Sequence, residues 1–155
     1  MRIKSNLLVL CALSLVLSAC SDRFTVYYPQ YSDAVKDGAI VRGWIPTALP
    51  STATEIHEQH DIDTNNVWIQ FSLSNTDKEQ IISGLKKLTE GDISQLELCY
   101  PKGTNWWFED LIQKSPANDN ALYAEIYSVI WARDGSPGYL AVDRTTSKVY
   151  YWCTK

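Results

Sequence analysis

Basic residues are in the minority here: 14 lysines and arginines against 18 aspartates and glutamates over 155 residues, a formal charge of −4. That balance argues against a nucleic-acid partner, which needs a basic surface to displace counterions, and against a polybasic membrane-binding face. Long hydrophobic runs are also missing. The apolar stretch from Leu7 to Leu17 falls short of the roughly 18 residues that cross a bilayer. Histidine is confined to His57 and His60. The chain has no C-x-x-C, H-E-x-x-H, G-x-S-x-G, P-loop or G-x-G-x-x-G pattern, so no signature of redox, zinc-hydrolase, acyl-transfer or nucleotide chemistry is present. Internal repeats and low-complexity segments are absent too. The expectation is a protein without catalysis of its own and without a resident cofactor.

What is present begins at the amino terminus. Arg2 and Lys4, the apolar Leu7–Leu17 stretch and Leu17-Ser18-Ala19-Cys20 have the layout of a secretory leader ending in a lipobox. The small Ser18 and Ala19 give a peptidase access to the bond before Cys20, and the Cys20 thiol is the group expected to be acylated. Residues 1–19 are then a leader, residues 20–31 the lipidated cysteine and a short tether, and residues 32–155 one globular domain. Loss of Arg2 and Lys4 takes the formal charge from −4 to −6. Each buried methylene is worth about 0.8 kcal/mol, so two or more acyl chains would hold the protein to the membrane as its first partner. The expected location is the cell envelope; in a Gram-negative host, Ser21 after Cys20 favours the outer membrane, facing the periplasm.

Processing leaves two cysteines. Cys11 departs with the leader and Cys20 carries lipid, so Cys99 and Cys153 remain as an even pair in an oxidising compartment. A disulfide between them is expected. In the chain-entropy model it is worth on the order of 4 kcal/mol.

The pattern predicts an α+β class, mainly antiparallel sheet with one well-defined amphipathic helix and one or two short ones. Tyr31–Gly38 reads as a helical turn with Ser32 as N-cap and Gly38 as its stop, Ala39–Trp44 as strand-like, and Ser51–Glu58 as a second short helix. Val67–Leu73 alternates as a half-buried strand. Thr76 and Glu79 have capping-box spacing, and Ile81, Ile82, Leu85 and Leu88 form a stripe, which predicts the main helix up to Gly91. Leu96–Tyr100 reads as a short strand and Asn105–Gln113 as a loop entering a helix. Ala121–Arg133, Tyr139–Asp143 and Lys148–Cys153 alternate around turn-forming segments, an antiparallel meander with large apolar groups on both faces.

Two constellations stand out. On a helix, His57 and His60 would share a face at i, i+3, with Asp61 and Asp63 directly after, a nitrogen and oxygen set suited to a divalent metal. The competing account is a helix end followed by an Asx-type turn. Trp106 and Trp107, near Lys102, are candidate binding residues, with core packing as the alternative. Tyr27-Tyr28-Pro29-Gln30-Tyr31 reads chiefly as packing against the domain.

Asp37-Gly38-Ala39, Arg42-Gly43-Trp44-Ile45-Pro46, Leu49-Pro50, Ser51 through Ile56 and His60-Asp61-Ile62-Asp63-Thr64-Asn65 together resemble the YbbD head domain family over residues 33–75. That family consists of small bacterial proteins, many with a lipoprotein signal and none with an established activity, so the resemblance brings no catalytic residues. Physically, the same residues make a fold signature: Gly43 and the prolines set the path, Trp44 packs, and Asp61–Asn65 turn the chain into the next strand. The resulting expectation is a lipid-anchored envelope protein acting as a binding module on another envelope protein. One version is an inhibitor or immunity-like protein of a basic envelope enzyme. The rival is a metal-dependent or acid/base enzyme built on the His57–Asp63 cluster.

Overall fold

The computed structural model describes residues 22–96, 99–107 and 124–153. The leader and Cys20 lie outside them, as do parts of the expected Leu96–Tyr100 strand and Asn105–Gln113 segment. Among the described residues no helix is long and apolar enough to cross a membrane.

Seven strands form one antiparallel sheet: β1 (Arg23–Gln30), β2 (Thr54–Asp61), β3 (Asn66–Ser72), β4 (Lys86–Lys87), β5 (Ala124–Val129), β6 (Gly138–Asp143) and β7 (Lys148–Cys153). Their order across the sheet is β1-β2-β3-β7-β6-β5-β4. Among the described residues four short helices accompany them: α1 (Tyr31–Asp37), α2 (Ala39–Arg42), α3 (Asn75–Ile82) and α4 (Glu90–Ser94). The fold is thus mostly antiparallel sheet with short helices. β6, β7 and β3 lie within a residue of where alternation placed them; β5 ends at Val129, short of the expected Arg133, and β3 is buried on both faces rather than half-buried.

Alternation along each strand sends two apolar sets to opposite faces. Ile69, Phe71, Tyr127, Leu140, Val149 and Tyr151 belong to one core, with Ala34, Ala39, Ile45 and Leu49 of the α1–α2 region over it. Trp68, Ile126, Ala141, Tyr150 and Trp152 belong to the other, which Ile93, Trp106 and Trp107 help to cover.

Several local expectations give way to long-range pairing. The stretch expected as a tether is largely β1, laddered onto β2 from Arg23 opposite Asp61 to Gln30 opposite Thr54. Ser51–Glu58, expected as a helix, is a turn that leads into β2, because β2 is held on both edges, by β1 and by β3. Ala39–Trp44, expected as a strand, is instead the single helical turn α2. Gly38 and Gly43 flank it with φ of +80° and +82°, a left-handed conformation that costs glycine little, and Gly43 closes the turn with its N–H on Ile40 O. Ser32 is not the cap of α1; Gln30 occupies that position, while Gly38 does end the helix.

The expected long amphipathic helix does not form. Ser74, not Thr76, caps α3, its Oγ accepting from Asp77 N at 3.1 Å. The chain then turns at Gly84, and Lys86–Lys87 pair with Tyr127 and Ser128 of β5. Ile81, Ile82 and Leu85 still reach the first core, but Leu88 packs on the second. A stripe that must serve both faces of a sheet cannot remain on one helix. Tyr100 and the described part of 96–100 are not strand.

Candidate site at the head of β2

Because β2 is a strand, His57 and His60 point to opposite faces. His57 lies tilted against Tyr27 at 4.6 Å and stacks with Trp106 at 5.6 Å between ring centroids, on the second-core side. Burial moves its pKa below the ordinary imidazole value, with the Lys148 charge acting in the same direction. His60 faces the first core. Asp61 accepts from Arg23 Nε at 2.7 Å and Thr64 N at 3.1 Å. Burial opposes its charge, yet these donors outweigh burial and hold its carboxyl below the usual range. Asp63 stands exposed in the β2–β3 turn, where the Asp22 charge pushes its carboxyl up. The proposed metal set is therefore divided by the pleat, and among the described residues no three ligating side chains gather. The helix-face argument for that site fails; the Asx-turn account describes Asp61.

Trp106 and Trp107 are half-buried cover for the second core. Trp107 lies edge-on to Tyr150 at 5.6 Å and to Trp152 at 6.1 Å. Cys99 and Cys153 are thiols, not a disulfide: Cys99 is exposed and Cys153 is buried. The Cys99 carbonyl accepts from the Trp68 indole, which faces the second core, whereas Cys153 belongs to the first. The sheet lies between those two settings.

What the strand does bring together is a pair that sequence spacing passed over. Glu58 and His60, two apart on β2, share a face, with Glu58 Oε1 2.6 Å from His60 Nδ1. Both are buried, at 0% and 3% exposure. Glu58 Oε2 and His60 Nε2 have no hydrogen-bond partner among the described residues. Burial raises the Glu58 carboxyl above its usual range, partly offset by His60. The imidazole stacks on Trp44 at 3.9 Å and lies near-parallel to Phe24 at 5.2 Å, with those two rings 6.4 Å from each other. The Arg42 guanidinium lies 4.0 Å above Trp44 and donates to the Asp37 carbonyl at 2.6 Å and to its carboxylate. Tyr28 donates to the same carboxylate at 2.8 Å. Those two hydrogen bonds keep Asp37 ionised well below its ordinary pKa.

Beside His60, but not bordered by Glu58, opens a cavity of about 560 Å³ lined by Arg42, Trp44, His60, Asp61, Arg133 and Asp134, among others. A second cavity of about 520 Å³ adjoins it, lined by Ile40, Val41, Ile130 and Trp131 and sharing Gly43, Pro46, Ala132 and Arg133 with the first. Sequence reasoning missed Glu58, Arg42, Trp44 and Arg133 as site residues. The H-E-x-H run holds the signal for Glu58 once it is read with strand period. Arg133 has none, because only the fold brings the β5–β6 turn beside α2.

The YbbD head domain model covers residues 22–72, from β1 through β3. The span includes α1, α2, Trp44 and the Glu58–His60 pair, and starts earlier than residues 33–75. No curated protein and no solved structure matches the chain. Residues 22–72 are thus similar to the YbbD head domain.

Proposed function

We propose that this protein is held in the bacterial cell envelope by lipid at Cys20 and that its domain binds a partner there without transforming it. The observation that carries the binding reading is the cavity beside His60: about 560 Å³, with aromatic, apolar, cationic and acidic walls. The leader and the Leu-Ser-Ala-Cys run support the location. The acidic balance supports a basic partner, because opposite charge speeds encounter, and the inhibitor or immunity-like version draws on the same point.

The 2.6 Å Glu58–His60 contact favours one alternative, acid/base catalysis by His60 with Glu58 orienting it. Binding is preferred because His60 Nε2 touches no hydroxyl or thiol that it could activate among the described residues.

The test uses the full chain in its own host. A photo-crosslinking residue at Ile62, on the cavity rim, should capture a discrete envelope adduct, and the same residue at exposed Lys102, near the opposite face, should not. Equal capture at both positions, or none at Ile62, refutes the cavity as the binding surface. Labelled palmitate should enter the wild type and not Cys20→Ala, and an unlabelled wild type refutes the anchor.

A further inference from the structure

The starts of β1, β3 and β6 and the ends of β2, β5 and β7 share one end of the sheet. The registers require it: Arg23 is opposite Asp61, Asp61 opposite Asn66, Val67 opposite Cys153, Tyr139 opposite Trp152 and Val129 opposite Gly138. Exposed apolar side chains gather there. Phe24 near the start of β1 is 45% exposed, Ile62 in the β2–β3 turn 52%, and Ile130 directly after β5 73%. Val41, 77% exposed, joins them, because its carbonyl accepts from Arg133 of the β5–β6 turn at 2.9 Å. The other exposed large apolar side chains among the described residues, Tyr27 and Val35, lie in the middle of β1 and on α1. Apolar side chains exposed singly are ordinary, whereas a group at one end of a domain marks a contact surface.

The entry point of the chain decides what covers that end. Only Ser21 separates Cys20 from Asp22, so the two are at most about 7 Å apart along the chain. The headgroup layer of one leaflet is about 5–8 Å thick. With acyl chains at Cys20 entering the hydrocarbon, Asp22 can stand no further out than about the outer edge of the headgroups. Ile62 is fixed to it, its N–H donating to the Asp22 carbonyl at 2.9 Å. The exposed apolar group therefore begins at the membrane surface.

Charge does not offer a different partner for this end. Arg23 pairs with Asp61 and Arg42 with Asp37, and Arg133 stands against Asp22, Asp63 and Asp134. Without a net positive charge among these residues there is no pull toward anionic headgroups, so the contact is apolar.

We infer that this end of the sheet docks on the lipid surface, with Phe24, Ile62, Val41 and Ile130 at the boundary between headgroups and acyl chains. The inference rests on acylation of Cys20 and adds an orientation: the strands stand upright on the bilayer. Both cavities open along the docked end, sharing Pro46 and Arg133, so a partner in the first is met at the bilayer surface. An apolar rim too small to hold a free protein suffices once the acyl chains keep it beside the lipid, because docking is then intramolecular.

The acylated full chain is reconstituted in phosphatidylcholine vesicles in a Cys99→Ser background, Cys153 being buried. A nitroxide is placed by Phe24→Cys, Ile130→Cys or Thr145→Cys, three exposed positions, the last in the β6–β7 turn at the opposite end. Oxygen, which concentrates in lipid, and a nickel chelate, confined to water, read the depth of each label. The labels at 24 and 130 should sit about 5 Å or more into the headgroup and acyl boundary, and the label at 145 should stay in water. Position 130 is the decisive one, because β5 is five strands from β1 and the anchor alone does not bring it to lipid. Raising salt from about 0.1 to about 1 M should leave both depths unchanged. In Cys20→Ala all three labels should remain in water. Palmitate uptake with the 130 label still in water overturns the docking and leaves the anchor standing, whereas a wild type without palmitate removes both. Depth lost at high salt overturns the apolar contact. Labels at 24 and 130 shielded from nickel in Cys20→Ala without vesicles would assign this end to a second copy of the chain instead. A protein adduct at Ile62 reports on the cavity and is decided separately.

Discussion

Removing the Glu58–His60 pair in two ways separates its role in stability from its role in the site. In Glu58→Leu, His60 Nδ1 loses its partner at 2.6 Å while the imidazole stays 3% exposed. A hydrogen bond to a charged group is worth about 1.5–3 kcal/mol, and breaking a buried pair from one side costs about 3–5 kcal/mol, so a loss of about 3 kcal/mol is expected. Glu58→Leu/His60→Phe removes both polar groups and leaves a flat ring against Trp44 and Phe24. Apolar replacement of a whole buried pair is often neutral or stabilising, so the double variant should fall within about 1 kcal/mol of wild type or exceed it. The coupling between the two sites is then at least about 2 kcal/mol. Urea midpoints of the four proteins at a shared slope measure it. If the double variant is as unstable as the sum of the singles, the pair stabilises the fold, and the case that it is kept for binding loses its footing.

Two further outcomes follow from charge and burial elsewhere. Glu125 is opposed by burial, but Lys87, Tyr127 and Arg144 outweigh it and bring its carboxyl from 4.5 down to about 2. A depressed folded-state value means that the stabilisation is present above the unfolded value and lost as pH falls from about 4.5 to 2. The shift corresponds to about 3 kcal/mol, which partial exposure of the side chain, 25%, reduces to about 1–2 kcal/mol. Glu125→Gln should therefore be destabilised by that amount at pH 7 and match wild type near pH 2, and an equal gap at both pH values rejects the linkage. Cys99 should alkylate in the native protein and Cys153 only on unfolding, given their exposed and buried thiols. A Cys99–Cys153 crosslink in non-reducing mass spectrometry would overturn that assignment.

The parts of the fold that could be read from sequence are those whose own pattern matches their setting. β5, β6 and β7 alternate between two apolar faces and are separated by Asp134–Gly138 and Arg144–Ser147, so pattern and turn chemistry agree. Gly38 ends α1 because only the backbone there has to turn left-handed. β1 and β2 gave no such agreement. Within Thr54–Asp61 the only strongly apolar residue is Ile56, and the residues that fill the same face after it are Glu58 and His60. Nothing local requires that segment to extend; the β1 ladder on one edge and the β3 ladder on the other do. The helix over 76–90 failed for the converse reason. Its period was right, but Lys86–Lys87 gain sheet pairing with β5 that a continuing helix would forfeit.

The site was hidden by the same change of period. At 3.6 residues per turn, His57 and His60 are neighbours and Glu58 lies to one side; at a period of two, Glu58 joins His60 and His57 crosses the sheet. One misassigned element thus exchanges a metal set for a buried dyad, with no change in residue identity. The physical oddity that remains is the dyad's location. Positions 58 and 60 face Ile69, Val67, Tyr28 and Ile56 across and along the strands, where leucine or valine would pack without desolvating a charge. Chains break their own burial rule chiefly where another requirement competes with stability. Here the break coincides with a Trp44 ring stacked on the imidazole, an unpartnered Nε2 among the described residues and a cavity lined by His60. A purely structural pair would be expected to satisfy both of its outer atoms, and neither Glu58 Oε2 nor His60 Nε2 is satisfied among the described residues.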